Sequence, residues 1–225
     1  MGKVTSVKIT HLIYDFDGLL LDTEPIYCRV NELIAARYGK AFTRDHHRMI
    51  MGRQAMDCAK ILVRELDLPL SAQEHLAARN ELIFDMLPEA KPMPGAMAMT
   101  QRFYELGVGQ AIATSSAAVT FKLKTRRYQD WLKIFDAIVL GDDPEVKHSK
   151  PAPDSFLTAA KRLGVEPENC LVFEDSPSGV VAAKEAGMVA VAVPAGYMDL
   201  SLYERADEAI SSLEVFDAQA WGLID

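Results

Sequence analysis

Five short apolar runs recur along the chain, at 11–14, 110–113, 137–140, 170–173 and 189–193, and helix-compatible sequence separates each from the next. Runs of this length bounded by turn residues read as buried strands. Strands alternating with helices fold as a parallel α/β sheet, because each parallel crossover needs a covering helix. Between Asp22 and Pro92 the pattern changes. The segments RVNELIAARYG, AMDCAKILVREL and AQEHLAARNELIFDML carry apolar residues at three- and four-residue spacing, which predicts helices throughout. A connection of this length is too long for a plain loop, so it is expected to be an inserted all-helical module. KPMPG then marks the return to the sheet, where two prolines and a glycine must stop a helix. The expected division is a core of residues 1–21 and 92–225 and a helical cap of residues 22–91.

Composition narrows the function classes. With 225 residues, 49% hydrophobic and 25% charged, the chain can bury a sizeable core. Its 24 Lys plus Arg against 32 Asp plus Glu leave a formal charge of -8, which repels nucleic acid and acidic membranes. Any anionic substrate must therefore be held by local positive charge. No apolar run approaches the roughly 20 residues that span a bilayer, and MGKVTSVKIT lacks the apolar centre of a secretory signal. A cytoplasmic protein, monomeric or weakly dimeric, is expected. Cys28, Cys58 and Cys170 form no CxxC pair and read as reduced packing residues.

Four clusters carry chemistry. Asp15-Phe16-Asp17-Gly18 follows the first strand directly; two carboxylates there can project into the crevice at the strand's carboxyl end, where open α/β sheets bind ligands. The same residues can equally be an acidic turn. Thr114-Ser115-Ser116 ends the second strand, and its hydroxyl and N–H groups suit a phosphate or act as ordinary helix caps. Lys150 precedes Pro151-Ala152-Pro153-Asp154. The prolines stiffen its approach, Asp154 can cap the next helix, and a rigidly held lysine is useful near phosphate, although most lysines are simply solvated. Glu174-Asp175 follows the fourth strand. With Asp15 these make three mutually repelling carboxylates, for which a hard divalent cation is the usual remedy. Magnesium fits, since it takes one or two carboxylates and works with phosphate oxygens.

In this order the four clusters, with a helical insertion just after the first, resemble the haloacid dehalogenase superfamily over essentially the whole chain. The insertion is similar to that family's first-subclass helical cap over a doubly wound, Rossmann-like core. The segments LLLDTE, RYGK, MGR, MLP, MPGA, IATSS, LGDDPEVKH, KPAPD, CLVFED and AAKEAGM resemble its pseudouridine-5'-phosphatase branch, with LGDDPEV the most distinctive. That branch in turn resembles phosphatases acting on glycerol phosphate or sugar phosphates. The resemblance implies that Asp15 is a nucleophile forming an aspartyl phosphate and that Asp17 is the acid and base. It further implies that Thr114 and the Ser115 N–H bind phosphate, and that Lys150 neutralises its oxygens. Mg2+ would be held by Asp15, the Asp17 backbone carbonyl and Asp175, with Glu174 in the same shell or acting through water.

Other residues stay open between two readings. Arg53, in Met51-Gly52-Arg53, is either a substrate-selecting cation of the cap or a solvated arginine. Glu24 either touches substrate near the hinge or serves the start of a helix, where acids are favoured. His46 and His47 are expected on the surface, and Asp142 and Asp143 in a simple turn. The function expected is a phosphatase acting on a small phosphorylated metabolite, pseudouridine 5'-phosphate or a related nucleoside or sugar phosphate. The alternatives are a sugar phosphomutase of the β-phosphoglucomutase type, in which a sugar hydroxyl replaces water, or a catalytically silent binding protein.

Overall fold

In chain order, β1 (His11–Tyr14) and the short β2 (Leu21–Asp22) lead into four helices, α1 (Glu24–Arg37), α2 (Arg44–Ile50), α3 (Ala55–Glu65) and α4 (Ala72–Met86). The chain returns through β3 (Lys91–Pro92) and α5 (Ala96–Glu105) to β4 (Gly109–Ala113), α6 (Ala118–Lys124), α7 (Gln129–Leu132) and β5 (Ala137–Val139). It ends with α8 (Asp154–Leu163), β6 (Cys170–Glu174), α9 (Pro177–Glu185), β7 (Val189–Ala192) and β8 (Glu208–Ala209). The structure, a computed structural model, describes residues 8–50, 53 and 55–224.

Among the described residues the main sheet has six strands in the order β5-β4-β1-β6-β7-β8, every neighbouring pair parallel. The apolar runs are buried on both faces, as a sheet covered by helices on each side requires. Leu12 and Tyr14 face an aromatic layer in which Tyr14 stacks on Phe173 at 5.3 Å and Phe173 meets Phe216 at 4.7 Å. Ile13 faces the other way, into a layer rich in alanine where α8 and α9 approach the sheet closely. The expected doubly wound sheet with an inserted helical cap is the fold observed.

The cap has its own apolar clusters, one around Val30, Ile34, Ile83 and Leu87, another around Ala35, Ile50, Leu62 and Leu66. Pro25 stands in the first turn of α1, where its missing N–H costs nothing. At the start of α4, Ser71 Oγ accepts from the Glu74 N–H at 3.2 Å while Glu74 Oε2 accepts from the Ser71 N–H at 2.7 Å, a reciprocal capping box. Both crossings between sheet and cap lie side by side, because β2 and β3 pair antiparallel, Leu21 opposite Pro92 and Asp22 opposite Lys91. Two-residue strands carry no readable periodicity, so this ribbon was absent from the sequence expectation; the polar helix α2 falls inside the stretch expected to be helical but outside the three periodic segments that marked it.

Candidate active site

β1 lies at the switch point of the sheet, with β4 on one side and β6 on the other. In such sheets the crevice opens outside the carboxyl ends of these strands. The register sets Tyr14 opposite both Ile112 and Phe173, so the chain ends at Asp15, Thr114 and Asp175 converge. Asp15 stays anchored through its N–H to the Phe173 carbonyl at 3.0 Å. Phe16, wholly buried, packs against Phe121 at 4.8 Å, which leaves the aspartates on either side of it for the crevice. Gly18 turns the chain with φ +86°, and a Cβ there would stand 2.2 Å from Asp175 Oδ2. Only glycine meets both conditions.

Lys150 is 7% exposed. Its Nζ donates to Asp15 Oδ1 at 2.6 Å, Glu174 Oε1 at 2.6 Å and the Ala113 carbonyl at 3.2 Å. The other Glu174 oxygen accepts from the Ser176 N–H at 2.7 Å and Oγ at 3.0 Å. Residues of the preceding loop are pinned on several sides. Asp143 pairs with Arg162 at 2.8 Å, the Lys147 and His148 N–H groups both reach Asp154 Oδ2 at 2.9 Å, and Asp142 Oδ1 accepts from the Ala118 N–H at 2.9 Å. Asp142 and Asp143 are thus more than a simple turn: they tie the loop that delivers Lys150 to α6 and α8. Asp154 holds that loop instead of capping its own helix, which begins after Pro153.

Asp17 is held by a different set of donors. Thr23 Oγ1 reaches Oδ1 at 2.9 Å, Ser116 Oγ reaches Oδ2 at 2.7 Å, Thr114 Oγ1 reaches Oδ2 at 3.3 Å, and the Lys124 ammonium pairs with Oδ1. Burial pushes the Asp17 carboxyl up, but Lys124 and the hydroxyl donors outweigh it and hold the group below its ordinary range. Sequence reasoning missed Lys124 and Thr23, and placed Ser116 in the phosphate-suited cluster rather than as a donor to Asp17. Lysine and serine are surface residues by default, and only the approach of α6 to the β1 loop makes Lys124 a partner. Ser115 is exposed on the cavity wall, and its turn is held by the Gly141 N–H donating to the Ser116 carbonyl at 2.8 Å.

Asp15, Glu174 and Asp175 offer ligand atoms within 4.8 Å of one another, all buried. Burial pushes the Asp15 carboxyl up to about 7, against the pull of Lys150, with Glu174 and Asp17 adding to the rise. Asp175 is raised well above its ordinary value by burial and by the neighbouring Glu174 and Asp15 carboxylates. Burial works against the Lys150 charge, but facing two carboxylates raises its pKa all the same. One ammonium paired with two of three clustered acids leaves a negative surplus, the condition that a divalent cation relieves. Both Glu174 oxygens are already engaged, so Asp15 and Asp175 present the freer atoms. Asp17 stands outside this triad; with its carboxylate engaged, its backbone carbonyl is the atom it could offer a metal.

The cap closes a cavity of about 540 Å³ over these groups. Glu24, at the start of α1, lines it, accepts from the Tyr197 hydroxyl at 2.5 Å and lies 3.4 Å from His47 Nε2. His47, expected on the surface, is buried between Glu24 and Cys28 Sγ, the latter 3.3 Å from Nδ1. Its partners come from α1 and from the loop after β7, which no local pattern announces. Arg53 is exposed at the cavity's edge, with Nε donating to the Met49 carbonyl at 2.9 Å; Met51 and Gly52 of its motif lie outside the described residues.

The profile of the family described as "Haloacid dehalogenase-like hydrolase" matches residues 12–193. The chain belongs to that family of hydrolases, with its cap domain. It is 43% identical to (DL)-glycerol-3-phosphatase 2 of Arabidopsis thaliana over 221 residues, 96% of this chain and 92% of that protein. It is 38% identical to the probable pseudouridine-5'-phosphatase of Drosophila melanogaster, covering 96% and 95%, and is related to the pseudouridine-5'-phosphatase-like branch. Among solved structures, CbbY from Rhodobacter sphaeroides in complex with phosphate is similar with a TM-score of 0.78 at 25% identity, covering 95% and 99%. Among the described residues no helix is long and apolar enough to cross a membrane.

Proposed function

We propose that this protein is a Mg2+-dependent phosphatase that hydrolyses a small phosphorylated metabolite, pseudouridine 5'-phosphate or a related nucleoside or sugar phosphate, through a phosphoryl group carried on Asp15. The observation that carries the reading is the convergence of Asp15, Glu174, Asp175 and the Lys150 ammonium at the carboxyl end of the central strand. Asp15 attacks phosphorus, and Asp17, which its donors hold ionised in the free enzyme and which must therefore take up a proton from solvent before this step, gives that proton to the leaving oxygen. Asp17 then takes a proton from the water that attacks the aspartyl phosphate, which frees Asp15 and releases phosphate. Thr114, the Ser115 N–H and Lys150 orient the phosphoryl oxygens, since positioning and charge stabilisation dominate this transfer. Mg2+ held by Asp15, Asp175 and the Asp17 carbonyl, with Glu174 holding Lys150 beside it, would neutralise charge developing on those oxygens.

The paired strands β2 and β3 are read as the hinge between a core of residues 1–21 and 92–225 and a cap of residues 22–91. Glu24 and Arg53 then meet the part of the substrate beyond the phosphate. The cavity of about 540 Å³ lies within the roughly 300–1,000 Å³ of small-molecule sites. Apolar side chains such as Ile50, Leu62, Leu76 and Phe84 line it, which favours a leaving group with a flat apolar face over glycerol alone. Phosphate release from pseudouridine 5'-phosphate, glycerol 3-phosphate and a panel of sugar phosphates, with Mg2+ and with chelator, tests the reading. Mg2+-dependent release, fastest from a nucleoside or sugar phosphate, is expected. Unchanged release under chelation would overturn the metal assignment. Turnover that needs a sugar bisphosphate and yields an isomeric sugar phosphate would make the protein a mutase instead.

A further inference from the structure

Two lysines are buried among the described residues, Lys150 and Lys124, and the chemistry above uses only the first. Lys124 ends α6 and is 0% exposed. Its Nζ pairs with Asp17 Oδ1, donates to Ser116 Oγ at 2.5 Å and stands 5.6 Å from the centre of the Tyr27 ring. Tyr27 belongs to the cap helix α1, and the Arg79 guanidinium of α4 lies 5.0 Å from the same ring. A buried ammonium is costly unless its partner stays in place, so the positions of Lys124 and Asp17 are tied together. Ser116, held by Lys124, in turn donates to the second Asp17 oxygen at 2.7 Å. Lys124 thereby reaches both oxygens of one carboxylate, one directly and one through a hydroxyl.

We propose that Lys124 is a positioning residue that sets where the Asp17 carboxylate stands for both of its proton transfers. The inference rests on the reading of Asp15 as nucleophile and Asp17 as acid and base. In the first step an Asp15 oxygen bonds to phosphorus, the bond from phosphorus to the leaving oxygen breaks, and that oxygen takes the proton carried by Asp17. In the second step water oxygen bonds to phosphorus, its proton goes to Asp17, and the bond from phosphorus to Asp15 breaks. Asp17 must occupy one place at the start and at the end. A proton transfer displaced by an ångström loses most of its benefit.

Leaving-group chemistry separates this role from a structural one. p-Nitrophenolate departs without a proton, whereas the alkoxide of glycerol 3-phosphate needs one. In Lys124→Met, which keeps much of the side-chain volume, kcat/KM for glycerol 3-phosphate should fall by about 100-fold or more, within the range of general acid catalysis. For p-nitrophenyl phosphate kcat/KM should fall less than about threefold, while kcat drops because the second step still needs Asp17. The variant should then release about one equivalent of nitrophenolate in a burst and accumulate a trappable aspartyl phosphate. Equal losses of kcat/KM on the two esters without a burst, or no loss on either, would overturn the proposal. Lys124→Arg keeps the charge but moves it, and should show the same split at smaller size if the Met variant does not fold. Equal losses in Lys124→Arg would overturn it too. A wild-type enzyme that forms no aspartyl phosphate from p-nitrophenyl phosphate overturns the underlying reading and this inference with it. A wild type that forms it, beside a Lys124→Met without the split, overturns the role of Lys124 alone.

Discussion

On the floor of the cavity, in the core, Asp15, Asp17 and Glu174 are each matched by an ammonium or several hydrogen-bond donors, whereas in the helical roof the buried atoms Asn31 Oδ1 and His75 Nδ1 have no hydrogen-bond partner among the described residues. Both residues line the cavity. An ionised group must be oriented before the reaction if it is to stabilise charge during it, so the core spends its lysines and serines on holding carboxylates still. A roof that met different leaving groups would gain little from such rigidity; there Glu24 is held by Tyr197, but these two atoms stay open. On the proposed reading the difference places chemistry in the core and selection in the cap, and each half can be challenged separately.

The largest effect belongs to the floor. Asp15→Asn should leave the fold intact and lower kcat by several powers of ten, because an amide is a poor nucleophile and a weaker metal ligand. Phosphate release above about one per cent of wild type, with circular dichroism unchanged, would break the assignment of chemistry to this carboxylate. Next comes Arg53→Ala at the cavity's edge. If Arg53 holds the remote part of the substrate, kcat/KM for the natural ester should fall by about 10- to 100-fold, the equivalent of a charged hydrogen bond of roughly 1.5–3 kcal/mol. A small generic ester should barely respond. Steady-state kinetics on both esters decide between selection, expected here, and equal losses, which would move Arg53 into the common machinery. The smallest effect is one of stability alone: Ser71→Ala removes the capping box of α4 and should cost the cap about 1 kcal/mol with kcat/KM unchanged. Denaturant unfolding monitored beside activity checks it, and a matching loss of turnover would mean that α4 shapes the reacting centre as well as the roof.

Much of this was legible beforehand because it is local. The apolar runs ending at Tyr14, Ala113 and Phe173 announce strands, and Asp15, Asp17, Thr114, Glu174 and Asp175 follow those strands directly, so their place at the sheet's carboxyl edge follows from chain direction. Lys150 was visible through the prolines beside it. His47 was misread, since two adjacent histidines in a polar stretch look solvated until α1 and the Tyr197 loop enclose one of them. Thr23 gave no sign, and Ser116 was visible only as one of a run of hydroxyls suited to a phosphate or a helix cap, because nothing local shows that either one donates to Asp17.

By itself, the sequence determined the alternation of strands and helices, the helical insertion after the first strand and the order of the acidic motifs, since each depends on periodicity or on residues adjacent in the chain. Tertiary structure alone decided which donors hold which carboxylate. Lys124 and Asp17 are 107 positions apart, and a lysine at the end of a short helix is ordinarily a solvated charge. It becomes a buried partner only because parallel pairing brings β4 against β1, which lays α6 along the Asp17 turn so that its last residue reaches the carboxylate, and because Tyr27 of the cap closes over the ammonium. Burial changes the ammonium's best partner from water to the nearest carboxylate, and nearness across so many residues is a property of the folded chain.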